Sequence, residues 1–232
     1  MLLKPLSFLV SKFPAPLRRR TVAAAVEFLW GRFARLTVEG KEHLPEGACL
    51  FVANHLSNAD GITLARALAP RRVYFLAGVK LHQTPLTRLG LEAVDIIEIR
   101  PGTADIEAIR KALAVLKRGD SVLLFPEGTR SRDGTLQEAR RGAALIATKA
   151  RVPVVPVAVT GTEVLLPIDD ADMGGERIQH ADVVVRIGEP IDVAALQAAI
   201  PEGAEPRQAL VDALMREIAA LLPERYRGHY RG

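Results

Sequence analysis

The chain has 232 residues, 49% of them hydrophobic, 25% charged and 5% aromatic, with a formal net charge of +4. That is enough apolar material for a full single-domain core with a small appendage, and it excludes an intrinsically disordered chain. A single cysteine, Cys49, excludes an internal disulfide framework and fits a reducing compartment.

The charge is uneven. Residues 1–36 carry Lys4, Lys12, Arg18, Arg19, Arg20, Arg32 and Arg35 against Glu27 alone. Arg225, Arg227 and Arg231 crowd the other end. Basic ends suit an anionic surface, membrane or nucleic acid; residues 225–232 read rather as a solvated tail. Leu3, Leu6, Val10 and Phe13 follow helical spacing, then Pro14 and Pro16 interrupt. From Thr21, Val22, Val26, Leu29, Trp30 and Phe33 make a second stripe. The spacing predicts two basic amphipathic helices joined by a proline turn. They serve either as an interfacial membrane anchor or as a pair packed on the domain's own core. No run reaches the ~18 apolar residues of a membrane span. The short apolar start, followed by Lys12, Pro14 and Pro16, is expected to be retained rather than cleaved as a signal peptide.

Beyond Gly40 apolar runs alternate with helical patterns. Strands are expected at 48–53, 73–77, 94–99, 121–125, 154–159 and 183–187. Helices are expected at 61–69, 81–89 (against Pro85), 103–117 with Thr103 as N-cap, 140–150 and 208–222. Ile106, Ile109, Leu113 and Leu116 form the stripe of the helix at 103–117. The alternation implies an α/β fold, a mostly parallel sheet covered by helices on both faces. Sites in such sheets lie beyond the carboxyl ends of the strands.

Two motifs fall there. Asn54-His55-Leu56-Ser57-Asn58-Ala59-Asp60 follows the first strand of the domain. On a continuous helix His55 and Asp60 would stand about 140° apart. They meet only if His55 occupies the turn and Asp60 the first helical turn, with Ser57 or Asn58 as cap. Asp60 would then hold one ring nitrogen and leave the other to take a proton from a hydroxyl. Phe125-Pro126-Glu127-Gly128-Thr129-Arg130-Ser131 follows a second strand. Pro126 fixes the turn, Gly128 permits close approach, Thr129 and Ser131 donate hydrogen bonds, and Arg130 can grip a phosphate. Glu127 either accepts from an acceptor hydroxyl or holds an arginine. Arg100, closing a third strand, is a second anion ligand candidate. Residues 153–161 form an apolar strand, core by default or the lining of an acyl path. Cys49 is expected to be buried and inert, and His43, His82, His180 and His229 structural or exposed.

The chain has no Gly-x-Ser-x-Gly elbow, no Gly-x-Gly-x-x-Gly, no Walker sequence and no zinc spacing. Its few aromatics give no RNA-binding surface, so no nucleic acid partner is expected.

In order, these blocks resemble the glycerolipid acyltransferase family typified by 1-acyl-sn-glycerol-3-phosphate acyltransferase. Asn54-His55 with Asp60 is similar to its first block, and Ile99-Arg100 falls where the second ends. Residues 125–131 match the third, and 152–161 are similar to the fourth. The resemblance implies His55 as general base and Asp60 as its orienter. It implies Arg100, Glu127, Gly128, Thr129 and Arg130 around the acceptor's phosphate and glycerol. It implies acyl-CoA or acyl carrier protein as donor, a lysophospholipid acceptor, phosphatidic acid as product, and neither metal nor cofactor. It also implies that residues 1–36 dock at the cytoplasmic face of a membrane, peripheral or monotopic, with the catalytic domain over 37–232. Ala139-Arg140-Arg141-Gly142 stands where the family often has Phe-Lys-x-Gly. Glu98-Ile99-Arg100 and Gly61 are further departures, all near the acceptor side. Other lysophospholipids, glycerol 3-phosphate and aminolipids are alternative acceptors. A non-catalytic lipid-binding module and a thioesterase-like hydrolase are the rival classes.

Overall fold

A computed structural model describes residues 14–78, 93–99, 105–169 and 176–232. Its described elements are α1 (Ala15–Phe33), β1 (Ala34–Glu39), β2 (Leu50–Ala53), α2 (Asp60–Ala67), β3 (Val73–Gly78), β4 (Asp95–Ile99) and α3 (Ile106–Lys117). They continue with β5 (Ser121–Leu124), α4 (Gly142–Ala150), β6 (Val154–Thr160), α5 (Thr162–Leu165), β7 (Ala181–Ile187), α6 (Val193–Ala198) and α7 (Pro206–Leu221). The strands form one seven-stranded sheet in the order β1-β7-β6-β2-β5-β3-β4. From β6 to β4 every pairing is parallel; β7 runs antiparallel to β6 and parallel to β1. The expected largely parallel sheet is therefore present, with two reversed strands at one edge.

All four β2 residues are buried because helices cover both faces. Leu50 and Val52 join a core with α3, α4 and α7. Phe51 and Ala53 face the other way, toward α1 and α2. Cys49 is fully buried, as expected.

Several details differ from the sequence expectation. Pro14 and Pro16 begin α1 rather than interrupting it: Pro14 is the N-cap residue and a proline opens the helix, where its missing N–H costs nothing. Residues 1–13, and with them the expected first helix, lie outside the described residues, as does the helix expected at 81–89. The stripe of α1 packs on the domain itself: Val22 and Trp30 are buried, and Val26, Leu29 and Phe33 rest on the core. Trp30 Nε1 donates to Thr63 Oγ1 on α2 at 3.0 Å, and Glu27 pairs with Arg66. The boundary expected after residue 36 falls within β1, so helix and sheet form one packed unit. β1 alternates half-buried and exposed residues, as an edge strand does.

Asp105 caps α3, its Oδ1 accepting from the Ala108 N–H at 3.0 Å; Thr103, the expected cap, lies outside the described residues. The core-facing stripe of α3 is correspondingly rotated. Ala108, Ala112, Val115 and Leu116 are buried, whereas Ile106 is exposed.

The C-terminus is not a solvated tail. Tyr226 and Tyr230 are buried, and their hydroxyls donate to Glu163 Oε1 at 2.7 Å and Asp212 Oδ1 at 2.9 Å. Leu136 is held from both sides, its N–H donating to the Tyr226 carbonyl and its carbonyl accepting from the His229 N–H. Tyr230 Oη also accepts the Ala139 N–H at 3.1 Å. Tyr230→Phe leaves that buried N–H without its acceptor and is expected to cost about 1–3 kcal/mol. A lower urea midpoint at unchanged m-value is the expected reading; an unchanged midpoint would show that the hydroxyl bonds contribute nothing.

Candidate active site

β2 and β5 are neighbours, paired in parallel from Leu50↔Val122 to Val52↔Leu124. Both motifs therefore emerge side by side at the carboxyl edge of the sheet, although about seventy residues separate them in the chain. Asn54 fastens the first turn to the next strand. Its side chain donates to the Val159 carbonyl and accepts the Val159 N–H, both at 2.8 Å. Ser131 N–H donates to the His55 carbonyl at 2.7 Å and ties the second turn to the first. All seven residues of β6 are buried, so residues 154–160 are core strand.

His55 sits in the turn and Asp60 opens α2, the arrangement the five-residue spacing requires. His55 Nδ1 lies 2.7 Å from Asp60 Oδ2. The same oxygen accepts the Leu56 and Ser57 N–H groups at 2.6 and 2.9 Å. Asp60 is fully buried and held from three directions. Neither Ser57 nor Asn58 caps α2; Ala59 holds that position, and Asp60 instead reaches back to close the turn. Ser57 Oγ accepts the Ala59 N–H and donates to the Leu166 carbonyl. A carboxylate on Nδ1 fixes the tautomer with its proton there, so Nε2 is the basic nitrogen. The Phe125 ring stacks on the imidazole, centroids 4.0 Å apart at 12°. The His55 side chain retains 20% exposure.

Glu127 differs from expectation. It is 2% exposed and lies behind His55. Oε1 accepts the His55 N–H at 2.8 Å and Oε2 the Gln137 N–H at 2.9 Å. Both carboxylate oxygens are engaged by the backbone, so Glu127 ties the Gln137 segment to the His55 turn. Burial pushes its carboxyl up to about 8, against the pull of the two N–H bonds, with Asp60 and Asp133 adding to the rise.

Gly128 has φ +68°, and a Cβ there would stand 2.7 Å from Cδ and Nε of Arg140. Its lack of a side chain thus lets Arg140 cross the turn, where Arg140 Nε donates to the Glu127 carbonyl at 3.3 Å. Thr129 is exposed beside it, and Arg130 is half-buried. Arg130 Nη1 lies 3.4 Å from Glu176 Oε1, and Asn58 Nδ2 donates to that oxygen at 2.7 Å. Arg100 lies outside the described residues; the strand before it, β4, is at the sheet's far edge. Sequence reasoning missed Glu176, Gln137 and the seating of Arg140. Glu176 belongs to no local pattern, and Gln137 acts through its backbone.

Residues 35–160 match the acyltransferase family model, which is more than half of the chain. The chain belongs to the acyltransferase family. A chloroplastic 1-acyl-sn-glycerol-3-phosphate acyltransferase of Brassica napus is 33% identical over 165 residues, 68% of this chain and 46% of that protein. One from Bacillus subtilis is 28% identical, over 79% of this chain and 86% of its own. The crystal structure of the 1-acyl-sn-glycerophosphate acyltransferase of Thermotoga maritima superposes with a TM-score of 0.60 at 26% identity, covering 92% of this chain and 86% of that one. The chain spans about half the length of the plant relatives it matches, 46% and 44%.

Proposed function

We propose that this acyltransferase moves a fatty acyl group from an acyl thioester to the free hydroxyl of 1-acyl-sn-glycerol 3-phosphate, forming phosphatidic acid in phospholipid biosynthesis. The observation that carries the reading is the His55–Asp60 pair, 2.7 Å apart, seated beside the Arg130 turn on adjacent strands. His55 Nε2 takes the hydroxyl proton as that oxygen attacks the thioester carbonyl. The C–S bond breaks, the thiolate leaves, and the proton passes from His55 to the thiolate. Asp60 stabilises the imidazolium in between. Arg130 and Arg100 meet the acceptor's phosphate, with Gly128 and Thr129 giving it room and a hydroxyl. The donor is acyl-CoA or acyl carrier protein, and the partners are the lysophospholipid, the donor and a membrane surface.

The test is transfer from labelled acyl-CoA and labelled acyl carrier protein to 1-acyl-sn-glycerol 3-phosphate, glycerol 3-phosphate and neutral lysolipids. Label in diacylglycerol 3-phosphate is the expected result. Label only in free fatty acid would replace the reading with hydrolysis, and no turnover by folded protein would leave a binding module.

Among the described residues no helix is long and apolar enough to cross a membrane. We assign α1 to the cytoplasmic membrane surface because Phe28 and Leu17 stand 71% and 50% exposed on a helix otherwise seated on the domain. Arg20 and Arg32 are exposed on the same helix and suit anionic lipid. Since α1 is part of the core, deleting residues 1–36 would also damage the fold. Leu17→Ser with Phe28→Ser spares it. Each serine is expected to lower partitioning onto anionic vesicles about tenfold, given ~1.5–3 kcal/mol for a buried apolar side chain. Flotation of the double variant equal to wild type would remove α1 from the membrane.

A further inference from the structure

Glu176 lies between α5 and β7, outside every block that carries the family resemblance. Its side chain is 4% exposed, and one of its oxygens serves both motifs at once. Oε1 accepts from Asn58 Nδ2 at 2.7 Å and faces Arg130 Nη1 at 3.4 Å. Asn58 stands three residues after the base, His55, in the turn that Asp60 closes. Arg130 stands three residues after Glu127 in the second turn. Glu176 therefore pins the turn of the base to the turn of the cation.

That spacing has a chemical meaning. In a 1-acyl-glycerol phosphate the reacting hydroxyl and the phosphate are joined through a few bonds of the glycerol. Both engage together only if His55 Nε2 and the guanidinium are held at a matching separation, and small errors in such positioning are costly in rate. A guanidinium carries five N–H donors in a rigid fork, so it can be held through Nη1 and still present another edge to an anion. A carboxylate removed from water needs donors, and Asn58 and Arg130 supply one from each turn.

We propose that Glu176 is a positioning residue that sets the separation between base and anion-binding arginine, and with it the preference for a phosphate-bearing acceptor. The inference rests on Arg130 meeting the acceptor's phosphate.

The experiment measures kcat and KM with labelled acyl-CoA on two acceptors, 1-acyl-sn-glycerol 3-phosphate and the phosphate-free 1-acylglycerol. The proteins are wild type, Glu176→Ala, Glu176→Gln, Arg130→Ala and the Glu176→Ala/Arg130→Ala double variant. The ratio of kcat/KM for the two acceptors is independent of how much of each preparation is folded. Glu176→Ala is expected to lower that ratio about tenfold, with the loss in KM for the phosphate-bearing acceptor. Glu176→Gln keeps an oxygen for Asn58 and Arg130 and is expected to retain most of the preference. The double variant is expected to fall no further than Arg130→Ala, because the two act through one contact. A ratio unchanged in Glu176→Ala but collapsed in Arg130→Ala overturns the inference alone, as do losses that add in the double variant. A ratio unchanged in Arg130→Ala removes the phosphate reading and the inference with it.

Discussion

His55→Ala is expected to lower kcat for acyl transfer by about 10²–10⁴-fold, the range of a lost general base, with KM for the acceptor little changed. Neither neighbouring carboxylate can replace it in the same position: Asp60 is fully buried behind the ring, and Glu127 is buried behind the turn. Asp60→Asn separates orientation from charge. An asparagine oxygen placed at Oδ2 can still accept from Nδ1 and from the Leu56 and Ser57 N–H groups. The negative charge that stabilises the imidazolium is gone, and an amide NH₂ replaces Oδ1, which is buried without a hydrogen-bond partner among the described residues. The expected loss is about 10²-fold or more in kcat, with the fold preserved. Asp60→Ala would also leave two buried backbone donors open, so it would mix stability with chemistry. Measuring kcat from labelled diacyl product decides the matter. Transfer by His55→Ala within tenfold of wild type would take the base away from His55.

The parts of this arrangement differed in how well the chain announced them. β2 and β5 were legible because helices cover both sheet faces and leave their residues almost wholly apolar. The pairing of His55 with Asp60 followed from the only geometry that five residues allow. That β2 and β5 lie side by side did not follow from either segment, since strand order comes from packing across some seventy residues. β1 was overlooked although Ala34, Leu36 and Val38 alternate with Arg35, Thr37 and Glu39. The neighbouring arginines mask that alternation. At the C-terminus Arg225, Arg227 and Arg231 likewise mask two tyrosines that prove to be anchors. Glu176 was silent because its partners come from two other segments. Gln137 was silent because a backbone N–H carries no sequence signal. Glu127 was legible as part of the second turn, but the direction its carboxylate faces was not. Whether a carboxylate faces substrate or backbone depends on burial that the motif alone does not state.

Glu127→Gln is expected to show that second role in both stability and rate. The carboxyl group accepts from His55 N–H and Gln137 N–H, one on each oxygen, and its hydroxyl oxygen can still accept when it is protonated. Glutamine has one acceptor oxygen and one NH₂. Whichever way it turns, a donor faces a donor, and one buried backbone N–H loses its partner at about 1–3 kcal/mol. The displaced group is either the backbone of the base itself or the loop that Tyr226 and His229 hold at Leu136. A shift of the base should lower kcat by about tenfold or more. The pH dependence has a defined sign. Glu127 in the folded protein titrates at about 8, above the ordinary carboxyl value of 4.5, because burial disfavours its charged form. Between those values the folded state holds a proton that the unfolded chain has released. The stability this contributes is full below pH 4.5 and is lost as pH rises through about 8, at up to about 1.4 kcal/mol per pH unit. Glutamine cannot titrate, so the gap in unfolding free energy that favours wild type over Glu127→Gln should be largest near pH 5, close as pH rises, and reverse in sign toward pH 8. Taking the difference cancels every other titrating group that the two proteins share. Paired urea melts across that range measure it. A gap that stays constant would mean that Glu127 keeps its charge throughout, and the two N–H bonds would then outweigh its burial.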